Sequence, residues 1–294
     1  MKILLTGGTG FIGSYLLEHQ KDDFILLTLN LRKQKPEEVD YSEVKTVVHL
    51  AGMAHKMEAV DEQEYFKVNR DLTLALAEQA KKAGVPHFIF MSSVKVFGDN
   101  SPVDGFRESH TPIPEDAYGA SKYAAEVKLK ELESDEFIVS IVRPSLVYGP
   151  GVKGNLDRLL RLIDKGTVLP FNNIDNKRSM VSIQNLEALI YTLVKNPTTG
   201  IIHATDKNPI STTELIQWMA EGMNKKPKLS KMPGPFRWLI RKLKPQLYTR
   251  LFGSYLINNA AGYNRINFVP PFEPKAGIMA MAQSFMDNKS KLNA

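Results

Sequence analysis

Lys2-Ile3-Leu4-Leu5-Thr6-Gly7-Gly8-Thr9-Gly10-Phe11-Ile12-Gly13 opens the chain with a short apolar run followed by glycines. The pattern predicts a buried strand over 2–6, a turn at Gly7-Gly8-Thr9-Gly10 and a helix over 11–20 with Ile12, Leu16 and Leu17 on one face. The glycines at 7, 10 and 13 have separate mechanical uses. The first permits a tight turn, the second lets backbone approach a pyrophosphate, and the third lets helix and strand pack closely. The unpaired N–H groups and positive dipole end of the following helix suit phosphate. Gly7, Gly10, Phe11, Ile12 and Gly13 are therefore the candidate dinucleotide-binding turn.

Outward from that turn, further apolar runs without polar alternation lie at 24–29, 46–50, 87–92 and 137–143, the last stopped by Pro144. Helical patterns separate them, notably over 61–83, which ends at Gly84 with Pro86 beyond, and over 117–134. Such alternation predicts an α/β fold, a Rossmann-type doubly wound parallel sheet covered on both faces. Residues 1–150 form the expected NAD(P)-binding domain, with a return to the sheet near 181–205. Residues 151–180 and 206–294 form a smaller, discontinuous C-terminal substrate domain, and helices are expected after Gly151 at 154–166, 185–195, 212–222 and 275–287, the second of them within the return.

The chain has 294 residues, 43% of them hydrophobic and 24% charged, which suits a globular protein with a sizeable core and excludes wholesale disorder. It has no Cys, which rules out disulfides, thiolate catalysis and Cys-ligated metal sites. Its six His show no metal-ligand spacing, so no metal is expected. No apolar run approaches the ~20 residues of a membrane span. The N-terminus also lacks the apolar stretch of a secretory signal, so the expected location is cytoplasmic. The net charge of +6 is too small and too spread out to indicate nucleic acid.

Two departures bear on the cofactor. Only 13 residues separate Asn30 from Val44, where a dinucleotide-binding fold normally has another helix and strand, so that element is reduced. The acidic residue expected after the second strand, which would hold the adenosine ribose, is absent. Asn30 and Arg32 stand there instead and tolerate a 2′-phosphate better than an Asp would. The cofactor is NAD or NADP, and this favours NADP.

Tyr118 and Lys122 are four residues apart on the 117–134 helix, hence on one face. A phenol in water has a pKa near 10, and a close cation is expected to lower it into a useful range. Ser93, at a strand end, can hold a substrate oxygen beside that phenol. Ser93, Tyr118 and Lys122 are thus the candidate catalytic residues.

Taken together, the motifs Thr6–Gly13, His49–Gly52, Asn69, Met91–Gly98, Tyr118–Lys122 and Arg143–Pro150 resemble the extended short-chain dehydrogenase/reductases of the NAD-dependent epimerase/dehydratase group, which modify nucleotide sugars. The 25-residue interval from Ser93 to Tyr118 fits that resemblance. It implies that Leu50, Ala51, Gly52 and Ser92 lie along the cofactor, that Asn69 braces the sheet, and that Lys122 bonds the nicotinamide ribose. It further implies that Pro144, Ser145 and Leu146 flank the nicotinamide. On the substrate side it points to Lys95, Asn155, Arg178 and Arg250, the last three around a diphosphate.

Sugar 4,6-dehydratases of this kind carry an Asp-Glu pair after the catalytic hydroxyl, and Val94 and Lys95 stand there instead, so dehydration is not expected. Segments at 54–57, 92–96, 149–155, 176–179 and 251–254 are similar to bacterial surface-polysaccharide enzymes. Those reduce the 4-keto group of a UDP-linked 6-deoxy-N-acetylhexosamine. The resemblance therefore implies a UDP-4-keto-6-deoxy-hexosamine 4-reductase, with a UDP-glucose-like 4-epimerase as the alternative. A non-catalytic dinucleotide-binding regulator is a third reading, and the joint presence of Ser93, Tyr118 and Lys122 counts against it. The family habit also implies a homodimer through the 61–83 and 117–134 helices. His55 is weighed as a sugar contact or a structural residue, and 235–248 as a packing helix over the substrate or a membrane-surface helix.

Overall fold

The structure, a computed structural model, describes residues 1–54 and 61–293, without the side chains of 246, 247, 292 and 293. β1 (Lys2–Thr6) pairs in parallel with β2 (Ile25–Leu29) on one side and β3 (Val44–His49) on the other. β4 (His87–Met91) and β5 (Ile138–Pro144) follow, and the short β6 (Leu146–Tyr148) and β7 (Met180–Ser182) form a separate parallel pair. With β8 (Gly200–Ala204) the main sheet has the order β2-β1-β3-β4-β5-β8.

Strand side chains alternate between two cores. Ile3, Leu5, Val48, Ile89 and Val142 meet α1 (Phe11–Glu18) and α6 (Ile183–Lys195) on one face. On the other, Leu4, Val47, Phe88, Phe90 and Ile141 meet α3 (Leu72–Lys82) and α4 (Ala117–Leu132). α2 (Glu62–Phe66) runs into α3 through a widened turn at Lys67–Asp71, so the expected 61–83 helix is interrupted in its middle. Such widened turns gather at functional sites, and Asn69 stands in this one.

A third apolar cluster joins Tyr148, Leu160, Ile216, Met219, Ile278 and Met281. It ties together α5 (Asn155–Asp164), α7 (Thr212–Gly222) and α11 (Pro274–Asn293). Ser211 and Glu214 start α7 with a reciprocal cap. α8 (Gly234–Leu243) and α9 (Pro245–Phe252) replace the single expected helix over 235–248, because Pro245 cannot continue one helix but opens the next. α10 (Ala260–Arg265) packs beside β8.

Two expectations need correction. β2 is not covered on both faces: Ile25 is 51% and Leu27 36% exposed. The cause is the short stretch after it, which forms only one tight turn at Pro36–Glu38 and leaves β2 at the sheet edge. The last helix also runs well past residue 287. No helix among the described residues is long and apolar enough to cross a membrane.

Candidate active site

The glycine turn is built as its sequence requires. Gly7 has φ of 73°, and a Cβ there would come within 2.7 Å of Ala51 N. A Cβ on Gly13 would stand 2.2 Å from the Gly7 carbonyl oxygen. One on Gly10 would meet that oxygen at 3.2 Å, a tight but milder contact. α1 has no side-chain cap and no acidic residue in its first turn, so Phe11 and Ile12 present amides without a competing carboxylate.

Behind the turn runs a buried hydrogen-bond chain. Ala51 N–H donates to Thr6 Oγ1 at 3.1 Å, and Thr6 Oγ1 lies 2.7 Å from His49 Nδ1. His49 Nε2 lies 2.9 Å from Thr73 Oγ1, which donates to the Asn69 carbonyl at 2.8 Å. Because Thr73 spends its proton on that carbonyl, His49 donates from Nε2 and accepts at Nδ1. Burial and then the Lys122 charge hold this imidazole neutral, its pKa lowered to about 3. The Asn69 side chain clamps Met53 through N–H and carbonyl bonds of 2.8 and 3.1 Å and reaches Ser121 Oγ at 3.0 Å. It therefore links the segment after β3 to α4.

Ser93 lies two residues beyond the end of β4 and caps the next turn by accepting from Lys95 N–H at 3.2 Å. Gly119 lets α4 approach that turn, since a Cβ on it would lie 2.5 Å from the Lys95 carbonyl oxygen. Asp116 starts α4 by accepting from Gly119 N–H at 2.7 Å. The close approach brings the Tyr118 phenol into a hydrogen bond with Ser93. One turn further, Lys122 is buried, donates to the Met91 carbonyl at 2.9 Å and sits 4.7 Å over the Phe90 ring. A Cβ on Gly52 would stand 2.9 Å from Asn69 Oδ1 and 3.1 Å from that ammonium, so a side chain there would crowd both.

The expected lowering of the phenol is not what the structure gives. Burial pushes Tyr118 up and outweighs the hydrogen bond from Ser93, which pulls it down. Desolvation acts on Lys122 as well and lowers it to about 8, against the pull of Glu126.

Three of the four substrate-side candidates converge. Lys95 pairs with Asp99 and lies 3.3 Å from Asp116, and Arg250 Nη2 lies 3.6 Å from Asp99. Burial raises the Asp99 carboxyl, but Lys95 and Arg250 outweigh it and hold it below the ordinary value. Arg178 donates to the Gly253 carbonyl at 3.0 Å at the end of α9 and feels the charges of Asp99 and Arg250. Asn155 is exposed at the start of α5, and no contact among the described residues ties it to this group.

At the cofactor end, Asn30 accepts from Arg32 N–H at 3.0 Å, so its side chain shapes its own loop, while Arg32 is exposed. Pro144 ends β5, and Ser145 is fixed by its hydroxyl's 3.1 Å bond to the Ala204 carbonyl. Leu146 is 51% exposed at the same end of the sheet. Ser92 donates to Glu126, not toward the crevice. Leu50 and Ala51 back directly onto Gly7. His55 lies outside the described residues.

Sequence reasoning missed Glu126 and its partner Arg143. The guanidinium holds the carboxylate at 2.9 and 2.5 Å, with both side chains only 1% exposed. The signal was present: Tyr118, Lys122 and Glu126 recur every four residues, on one face of α4. Thr6 and His49 open motifs quoted above but were given no role, because their partners lie far along the chain; Asp99 and Asp116 were missed although Lys95 and Gly119 stand only four and three residues away.

Open α/β sheets bind nucleotides beyond the strand ends where the strand order reverses. That point lies between β1 and β3 here, and Gly7 and Ala51 meet at it. The fold and this placement define a Rossmann-type α/β protein. The chain belongs to the NAD dependent epimerase/dehydratase family, which residues 3–204 match, and it is an enzyme of that family. It is 34% identical to a UDP-glucose 4-epimerase of Vibrio cholerae over 98% of this chain and 97% of the other. It is 29% identical to the N-acetyl-α-D-glucosaminyl-diphospho-ditrans,octacis-undecaprenol 4-epimerase of Escherichia coli O157:H7, over 81% and 77%. In fold it is similar to MoeE5 solved with UDP-glucose and NAD, with a TM-score of 0.78, 19% identity and coverage of 98% and 100%.

Proposed function

We propose that the protein catalyses nicotinamide-dependent oxidoreduction at C4 of a hexose linked to a diphosphate, first of all a UDP-sugar. The observation that carries this is the Ser93–Tyr118 hydroxyl pair, with Lys122 one turn away, at the C-terminal end of the sheet, which also bears the glycine turn.

The residues present fit an NAD(P) cofactor. The Gly7–Gly13 cradle leaves no room for side chains, and α1 opens without a cap. Gly7, Gly10, Phe11, Ile12 and Gly13 would hold its phosphates, Ala51 and Gly52 would pass along them, and Lys122 would reach its ribose. When bound, the nicotinamide supplies a carbon that accepts or gives the hydride. Tyr118 moves the proton at the sugar O4, and Ser93 holds that oxygen beside the phenol. A phenol raised by burial is a competent proton donor to an alkoxide forming at O4. Lys95, Arg178 and Arg250 form the cationic side that faces the diphosphate.

Epimerisation is the direction that the near full-length relative supports. A second reading, reduction of a 4-keto sugar with NADPH, is supported by the open end of β2, where Arg32 stands and no carboxylate does. The purified protein is incubated with UDP-glucose or UDP-N-acetylglucosamine, and separately with UDP-4-keto-6-deoxy-N-acetylglucosamine plus NADH or NADPH. C4-inverted sugar without net cofactor turnover marks epimerisation. Loss of reduced-cofactor absorbance marks reduction. Absence of both overturns the proposal.

A further inference from the structure

Helix α8 wears its side chains in reverse. None of its residues is buried. Phe236, Trp238, Leu239 and Leu243 are 63%, 60%, 40% and 67% exposed. Phe236, Leu239 and Leu243 follow three-then-four spacing and so line one stripe. The opposite flank makes the contact with the body. Arg237 donates to Tyr248 Oη at 3.1 Å and stands 5.3 Å over the Phe252 ring, and Arg241 stands 5.9 Å over the Tyr248 ring. The helix thus attaches to α9 through arginines and turns its apolar stripe to solvent. Lys242 rides 5.2 Å over the Trp238 ring on the remaining side.

Charge singles out the same region. From Gly222 to Phe272, 51 residues contain ten Lys and Arg and no Asp or Glu. The rest of the chain has 28 Lys and Arg against 32 Asp and Glu, so the excess is not spread out, as the total suggests, but resides in this segment. A second copy of the same helix would set Arg237, Arg241, Lys242 and Lys244 against their own kind, which disfavours self-association there. Aromatic and leucine side chains flanked by Lys and Arg suit the boundary between headgroups and acyl chains.

We propose that α8 docks in the headgroup plane of an anionic bilayer, with Phe236, Leu239 and Leu243 among the acyl chains and Lys242 and Lys244 at phosphate level. The next helix, α9, carries Arg250 to Asp99, so the docked surface and the candidate site share one strap. The docking does not depend on the reaction proposed above.

The test uses the full chain with Trp218→Phe, Trp238→Phe and Leu243→Trp, which leaves a sole tryptophan, on the stripe. With vesicles of phosphatidylcholine and phosphatidylglycerol, the protein co-sediments, the emission of that tryptophan shifts to the blue, and brominated lipid quenches it. Phosphatidylcholine alone binds weakly, and raising salt from about 50 to about 500 mM releases the protein. Replacing Phe236, Leu239 and Leu243 together by Ser lowers the partition coefficient by about a hundredfold or more while the melting temperature holds. Lys242→Glu with Lys244→Glu weakens binding and flattens its salt dependence. No binding to anionic vesicles at low salt overturns the proposal. So does unchanged binding by the folded triple-Ser variant, which would reduce the effect to general surface charge. A concentration-dependent dimer that the triple-Ser change abolishes also overturns it and gives the stripe to a second copy.

Discussion

Helices α4 and α8 break the usual rule of apolar inside and charged outside in opposite directions. α4 buries Ser121, Lys122 and Glu126 and leaves Val127 41% exposed. α8 buries nothing and exposes four large apolar side chains. A buried charge persists only where partners replace water. Lys122 has the Met91 carbonyl and the Phe90 ring, and Glu126 has Arg143 and Ser92. The exposed stripe on α8 has no such partners among the described residues. The difference is one of cost: the inner polar residues are held by many neighbours and tolerate little, whereas those at the rim are free to vary and act through what lies outside.

The largest expected effect comes from loading the interior with charge. His49, His87 and His203 sit buried on β3, β4 and β8, their pKa values lowered from 6.5 to about 3, 4 and 4, chiefly by burial. Their folded values lie below the unfolded one, so the unfolded chain takes up protons first. Stability from each is full above about pH 6.5 and is lost as pH falls toward the folded value. By about pH 4.5 each imidazole costs ~3 kcal/mol, and three together approach the whole stability of a typical domain. Urea midpoints should therefore fall steeply from pH 7 to pH 5, and a flat profile would contradict neutral burial.

Next in size are single changes on α4. Tyr118→Phe should lower turnover by about 10²–10⁴, or ~3–5 kcal/mol of barrier, with an unchanged melting temperature. Near-normal turnover would remove the phenol from the chemistry. Glu126→Ala should act on stability instead. It strands the Arg143 guanidinium, whose Nη1 already lacks a hydrogen-bond partner among the described residues, and should cost about 3–5 kcal/mol in denaturant titrations. Replacing both partners, Glu126→Leu with Arg143→Met, should recover most of that loss. If the double change is as damaging as the single one, the pair does more than neutralise itself.

How much of this the sequence could show follows the same division. Local signals were legible: Gly7 and Gly13 announce a turn that no side chain could enter, and the strand runs give the sheet almost to the residue. Tyr118 and Lys122 were legible as a pair because helical spacing is local. The phenol's direction of shift was not, since it depends on how deeply α4 sinks against the Lys95 turn, which Gly119 decides through a contact with a distant carbonyl. The Thr6–His49–Thr73–Asn69 chain was equally hidden, because it joins β1, β3 and α3 across the sequence. β2 misled for the reverse reason: Ile25 and Leu27 read as core, and only the missing neighbour strand makes them an edge.

The smallest effect is expected at that edge. Arg32 is exposed beyond β2, beside an Asn30 occupied with its own loop, so any hold it has on a 2′-phosphate acts through solvent. Arg32→Ala should raise KM for NADPH by about three- to tenfold and leave KM for NADH within about twofold, at no cost in stability. The NADPH effect should shrink with added salt, because an exposed pair is screened within about 10 Å at 0.1 M. A change in KM that is equal for both cofactors would show that this loop meets the ribose they share, and the argument from the missing carboxylate toward NADP would fail. A selective, salt-sensitive change would instead extend the contrast between α4 and the rim to cofactor choice, with the buried helix governing rate and the open edge governing preference.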